Sequence, residues 1–142
     1  MNPEREAYLR YRLERARQTL GDAKFLADSG RLLSAVNRVY YACFYCVSAL
    51  VSSEGHKASK HTGVRALFNR HWVKTGRVPS ELGGFYSTLF DQRQKADYAD
   101  LVRFGPEQVG RWIEQAAPFI AEVSHLVEEK LSSHGGSAGP QA

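Results

Sequence analysis

The chain has 142 residues, with 19 Lys plus Arg against 15 Asp plus Glu, 5 His, 2 Cys and 43% apolar side chains. A folded unit of this size buries roughly two thirds of its extended surface, so its core needs neither disulfide nor metal; disorder, collagen-like repeats and a disulfide scaffold are excluded. The net charge of +4 conceals a split, because residues 1–77 carry 14 basic against 6 acidic side chains and residues 78–142 carry 5 against 9. Any basic surface therefore comes from the first half, either as a polyanion-binding face or as a solvated helix exterior.

Taken in chain order, Glu4 to Ser29 places Leu9, Leu13, Ala16, Leu20, Ala23 and Ala27 at strides of four and three, with arginines between them. That spacing predicts an amphipathic helix opened by Pro3 and the acidic Glu4 and Glu6, and stopped by Gly30. A second helix, from Arg31 or Leu32 to about Ser53, repeats Leu33, Val36, Tyr40, Cys43, Val47 and Leu50, and its other faces are also apolar or aromatic. With no charge after Arg38 it should be the most enclosed helix of the fold. Glu54 to His61 is a polar connection. Thr62 to Lys74 forms a shorter third helix, with Val64, Leu67, Phe68 and Trp72 on one side and Gly76 and Pro79 beyond it.

Ser80 is a candidate N-cap for a fourth helix, with Leu82, Phe85, Tyr86, Leu89 and Phe90 facing inward and Gly83 and Gly84 weakening its first turns. Gly105 and Pro106 break the chain before the last helix, which shows Val109, Ile113, Ala116, Ile120, Val123 and Val127 and should kink at Pro118. No segment alternates with period two. The expected fold is all-α: an antiparallel up-and-down bundle of about five helices, resembling a four-helix bundle, in one domain over residues 1–131, followed by a disordered polar tail over 132–142. The longest apolar run, Val39 to Val51, is too short for the roughly 20 residues that cross a bilayer. No hydrophobic leader follows Met1, and together with the sparse cysteines this gives a cytoplasmic, reducing compartment as the expectation.

Cys43-Phe-Tyr-Cys46 matches the C-x-x-C pattern, but it lies inside an apolar helix with no second pair, so both thiols read as core residues. His56, His61 and His71 have no ordinary zinc spacing, and no phosphate-binding glycine loop or nucleophile elbow is present, so neither metal nor cofactor is expected. Arg65 and His71 could hold a phosphate and move a proton, yet as two basic residues of a basic helix they read as solvent-exposed. The polar cluster most out of place is on the second helix, where Asn37, Arg38, Tyr41 and Tyr45 interrupt an apolar element and need partners. Those partners are expected at the end of the fourth helix, in Arg93, Asp97 and Tyr98. Either Arg93 and Asp97 form an intrahelical ion pair beside a hydrogen-bonded tyrosine, or Arg38 and Arg93 converge on a phosphate.

At these residues the chain resembles the HEPN domain superfamily, in its branch of small stand-alone bacterial and archaeal proteins. The resemblance runs from about Tyr8 to Leu131. It is carried by Ser34-Ala-Val-Asn-Arg-Val-Tyr-Tyr-Ala-Cys-Phe44, by His61-Thr-Gly-Val64 with Phe68, by Val73-Lys-Thr-Gly76, and by Arg93-Gln-Lys-Ala-Asp-Tyr98. It implies a helical bundle that dimerises and, in many members, a metal-independent ribonuclease used as a toxin or against phage, paired with a nucleotidyltransferase antitoxin. In active members an Arg followed after four to six residues by His, contributed by both subunits, faces an RNA groove. Here Arg93 matches the arginine, the histidine's place is taken by Tyr98 with Asp97 before it, and Asp100 stands where some toxins carry a tyrosine that the partner modifies.

The resulting expectation is a homodimer, formed through the second and fourth helices, that binds RNA or nucleotide in a groove lined by Asn37, Arg38, Tyr41, Arg93, Asp97 and Tyr98. If it cleaves, Arg93 stabilises the phosphate and Tyr98 stands in for the histidine, although a phenol of reference pKa about 10 is a poor base at neutral pH. The competing reading is a non-catalytic helical module that docks a nucleotidyltransferase or another partner.

Overall fold

A computed structural model describes the backbone of residues 1–138 and the side chains of residues 1–133. Five helices follow in order: α1 (Pro3–Asp28), α2 (Leu32–Ser53), α3 (His61–Phe68), α4 (Ser80–Tyr98) and α5 (Pro106–Ala138), with no strand among the described residues. The all-α expectation holds.

Local chemistry accounts for the helix ends. Pro3 occupies the first turn of α1, and the Asn2 side chain accepts from the Arg5 backbone N–H at 2.8 Å. At the other end Gly30 adopts φ +78°, which lets its N–H reach the Ala27 carbonyl while Arg31 N–H reaches Leu26. This paired closure satisfies two orphan carbonyls and reverses the chain into α2 within three residues. Ser80, expected as a cap, is instead the first residue of α4: Pro79 takes the cap position, with no side-chain cap bond, and its carbonyl accepts from Leu82 and Gly83.

The packing is arranged around α2, which is buried from Ala35 to Ser53 apart from a strip of partly exposed residues that includes Asn37, Arg38, Tyr41, Tyr45 and Ser48. Contacts between α1 and α2 run in opposite chain order, Arg5 to Ser52, Arg12 to Ser48 and Arg15 to Tyr45, so the two helices are antiparallel. The same reversal links α2 to α4, through Asn37 with Asp97 and Tyr40 with Phe90 and Tyr86. An aromatic column fills the centre: Tyr86 stacks on Phe119 of α5 at 5.9 Å and Phe68 meets the Tyr86 ring edge-on at 5.6 Å.

Three expectations change. Leu33, placed on the inward stripe, is 46% exposed and lines a surface depression with Val102 and Phe104. The third helix does not run regularly to Lys74: Asn69–Val73 forms a π turn, closed by Lys74 N–H to the Asn69 carbonyl at 2.8 Å. Residues spaced by four drift about 40° per step round an α-helix, and the wider turn takes back that drift, keeping Val64, Phe68 and Trp72 on the core. Helix α5 carries Pro118 within its span. It also extends to Ala138 where a tail was expected from Ser132, since lengthening an existing helix requires no new nucleus; the rest of that expectation, 139–142, lies outside the described residues.

The two glycines of α4 have different reasons to be there. A Cβ at Gly83 would lie 2.8 and 2.9 Å from the two methyls of Val73 in the π turn, whereas one at Gly84 would meet nothing within 4 Å. Valine is stiff at χ1 and cannot swing away. Gly83→Ala should therefore cost about 1–3 kcal/mol in urea unfolding despite alanine's better helix propensity, while Gly84→Ala should add up to about 1 kcal/mol. Adding Val73→Ala should recover part of the Gly83→Ala loss.

Candidate functional site

The exposed strip of α2 meets the end of α4 and the start of α3, and the polar residues gather there. Arg93 projects from α4 against the aromatic wall of α2, with its guanidinium carbon 4.9 Å from the Tyr40 ring centroid, 5.8 Å from Tyr41 and 6.0 Å from Phe90. It is only 6% exposed. One nitrogen donates to Asp97 at 3.2 Å, and Nε is buried with no hydrogen-bond partner. Ring faces and one carboxylate thus offset the cost of burying the charge.

Asp97 joins α4 to α2, since the Asn37 amide donates to its carboxylate oxygens at 3.2 and 3.4 Å, and Asn37 Oδ1 in turn accepts from Arg38 at 2.7 and 3.0 Å. Arg38 also lies over the Tyr41 ring, 5.0 Å from its centroid. The two arginines expected to converge are therefore within 6 Å of the centroid of one ring and stand at opposite ends of a chain that runs Arg38, Asn37, Asp97, Arg93. The ion pair of the first account exists, and it ties Arg93 into the same cluster as Arg38.

Tyr98 does not join. It is 79% exposed and lines a shallow depression with Asp91, Gln92, Gln94, Lys95 and Ala99. Five residues carry a helix about 140° past a full turn, so Tyr98 points away from the face of Arg93, while Asp97, four residues on, stays within about 40°.

The group that shares the tyrosine pair with Arg93 is His61, weighed in the sequence only as a metal ligand. As the first residue of α3 it is set onto the tyrosine pair of α2: Nδ1 is 2.8 Å from the Tyr40 hydroxyl, Nε2 is 3.3 Å from the Tyr41 hydroxyl, and its ring lies 4.3 Å from Phe44. Burial, followed by the Arg93 charge, holds the imidazole below its ordinary range, and burial pushes Tyr40 up to about 12. The result is an imidazole kept neutral between two tyrosine hydroxyls, on the same pair of rings that the Arg93 guanidinium packs against. The available signal was the tyrosine pair itself, because adjacent hydroxyls on an enclosed helix, one buried and one half-buried, need a partner from another element.

Other candidates settle differently. Arg65 and His71 are half-buried rather than solvent-exposed: Arg65 lies over the Phe90 ring at 3.9 Å and pairs with Asp91, and His71 stacks on His56 at 4.3 Å. Cys43 and Cys46 are core residues as expected; burial raises both thiols far above their ordinary value, and Cys46 Sγ donates to the Cys43 carbonyl at 3.2 Å. Among the described residues no three potential metal ligands come together, and no helix is long and apolar enough to cross a membrane.

Comparison with known proteins places this geometry in context. The family model for the HEPN domain matches residues 9–129. A UPF0332 protein of Thermotoga maritima is 49% identical over 126 residues, covering 89% of this chain and 96% of its own length. A protein of Methanocaldococcus jannaschii named "Putative toxin" is 32% identical, covering 86% of this chain and 78% of its own. Among solved structures, TT1696 from Thermus thermophilus shares the fold, with a TM-score of 0.62 at 23% identity, covering 86% of this chain and 97% of that one.

The depressed pKa of His61 has a measurable sign. Between that pKa and the ordinary value of about 6.5 the unfolded chain binds more protons than the folded one, so this contribution is complete above about pH 6.5 and is lost on acidification. The melting temperature of the wild type should fall more steeply from about pH 7.5 to about pH 5 than that of His61→Gln, which cannot titrate.

Proposed function

The chain belongs to the HEPN domain family, and from that premise we propose that it is a toxin-type RNA-binding protein whose site is the Arg93 and His61 cluster, with metal-independent cleavage of the RNA as its reaction. The observation that carries the reading is that the His61 imidazole and the buried Arg93 guanidinium pack against the same two tyrosines, Tyr40 and Tyr41. The toxin name of the Methanocaldococcus jannaschii relative agrees with it.

In this reading the 2′-hydroxyl of a ribose displaces the Tyr41 hydroxyl, whose 3.3 Å contact is the longer of the two on the imidazole. His61 Nε2 takes the proton, the 2′-oxygen attacks the adjacent phosphorus, and the 5′-oxygen leaves and is protonated by solvent, giving a 2′,3′-cyclic phosphate. Arg93 stabilises the charge that builds on the phosphoryl oxygens, exchanging its bond to Asp97 for one to phosphate. Asn37, Arg38 and Tyr41 orient the strand. Asp97 positions Arg93, and Tyr98, outside the cluster, has no part in the chemistry. The protein acts as a homodimer through α2 and α4, and a nucleotidyltransferase serves as its antitoxin.

A second reading has an observation of its own. Leu101 is 98% exposed, at φ +60°, beside exposed Tyr98. Such an apolar knob next to the site suits a helical module that docks a nucleotidyltransferase without cutting RNA.

Incubation of purified protein with mixed RNA separates the two. Cleavage should fall by at least about 100-fold in His61→Ala and in Arg93→Ala, leaving cyclic-phosphate ends in the wild type only. The rate should be flat near neutrality and decline on the acid side below the ordinary histidine range. Equal degradation by all three proteins would assign the activity to a contaminant and favour the docking module.

A further inference from the structure

The cations of α1 fall into two sets. In the first, Arg10 pairs with Glu6, Arg17 with Glu14 and with Glu128 of α5, and Lys24 with Asp28. On the side facing α2, Arg5, Arg12 and Arg15 have no carboxylate among the described residues and spend their donors on hydroxyls and a carbonyl. Arg5 binds Ser52, Arg12 binds Ser48 at 2.6 Å, and Arg15 reaches the Tyr45 hydroxyl at 3.4 Å. Arg12 also lies 4.9 Å from the Tyr45 ring centroid and 5.8 Å from those of Tyr8 and Phe44, and its Nε is buried without a partner.

Between these residues and the connection after α2 runs a groove of about 910 Å³, lined by Arg5, Arg12, Lys57, His56, Tyr8 and Phe44 among others and by no Asp or Glu. Its chemistry is that of a polyanion track: cations without counter-charges, serine hydroxyls, and a 53% exposed tyrosine offering a ring face. It also shares a wall residue with the site, because Phe44, which lines the groove, packs on His61 at 4.3 Å.

We propose that this groove between α1, α2 and residues 55–59 is a binding subsite for the single-stranded RNA flanking the Arg93 and His61 cluster, with a base stacked on Tyr8 and phosphates held by Arg5, Arg12 and Lys57. The proposal rests on the RNA reading given above and adds where the strand goes. A duplex would not offer unstacked bases to Tyr8, so the subsite selects single strands.

The test is fluorescence anisotropy with 2′-O-methyl oligouridylates of about three and about twelve nucleotides, which bind but cannot be cut through the 2′-oxygen. The wild type should gain affinity with length. Tyr8→Ala should weaken the longer oligomer by at least about fivefold and Tyr8→Phe should restore it. Lys57→Ala should flatten the salt dependence by about one unit of log–log slope. Tyr8 and Lys57 are exposed, so circular dichroism should show both variants folded. Unchanged binding in these variants, with binding still lost in Arg93→Ala, overturns the groove and keeps the site; the reverse pattern keeps the groove and overturns the site. No binding by the wild type overturns both. A changed sedimentation coefficient with unchanged RNA affinity makes the groove a contact between copies of the chain and overturns the proposal.

Discussion

After Arg38, helix α2 runs fifteen residues without a charge, and a helix of that composition is stable in water only when neighbours cover it. The other helices are placed by that requirement. α1 covers one flank by doubling back through the Gly30 turn, α4 and α5 cover two more, and α3 with its π turn caps the far end. What remains uncovered is a strip through Asn37, Arg38, Tyr41, Tyr45 and Ser48, and both the cluster at Arg93 and the groove at Arg12 lie along it. The polar chemistry collects there because it is where the bundle leaves hydroxyls and ring faces open.

Periodicity and punctuation carried most of the fold. The helix boundaries at Gly30, Ser53 and Pro106 follow from residues that stop or start a helix wherever they occur, and the burial of α2 follows from its composition. The departures share a cause. Leu33, Ser80 and the π turn depend on what packs against them, as when Trp72 is brought to the core by a widened turn. Such information belongs to the tertiary contacts.

The site was legible by half. Asn37, Arg38, Tyr41, Arg93 and Asp97 stood out as polar groups in apolar helices, and they do meet. Tyr98 was placed by its distance along the chain, and helical geometry turns it away. His61 could not be paired with Arg93 by spacing, because thirty-two positions separate them and only the fold of α3 against α2 brings the imidazole to the tyrosines. The basic excess of the first half also acquires a division: α1 spends some cations on neighbouring carboxylates and keeps others against hydroxyls and rings.

The two thiols have a practical consequence. Both are enclosed on α2, both are held protonated by burial, and no other cysteine occurs in the chain. Alkylating reagents attack the thiolate, so labelling waits for an opening that exposes the middle of the central helix. The chain therefore carries its own clock for global unfolding: the rate at which Cys43 and Cys46 are trapped reports how often the whole bundle comes apart, with no added probe and no disturbance of the surface.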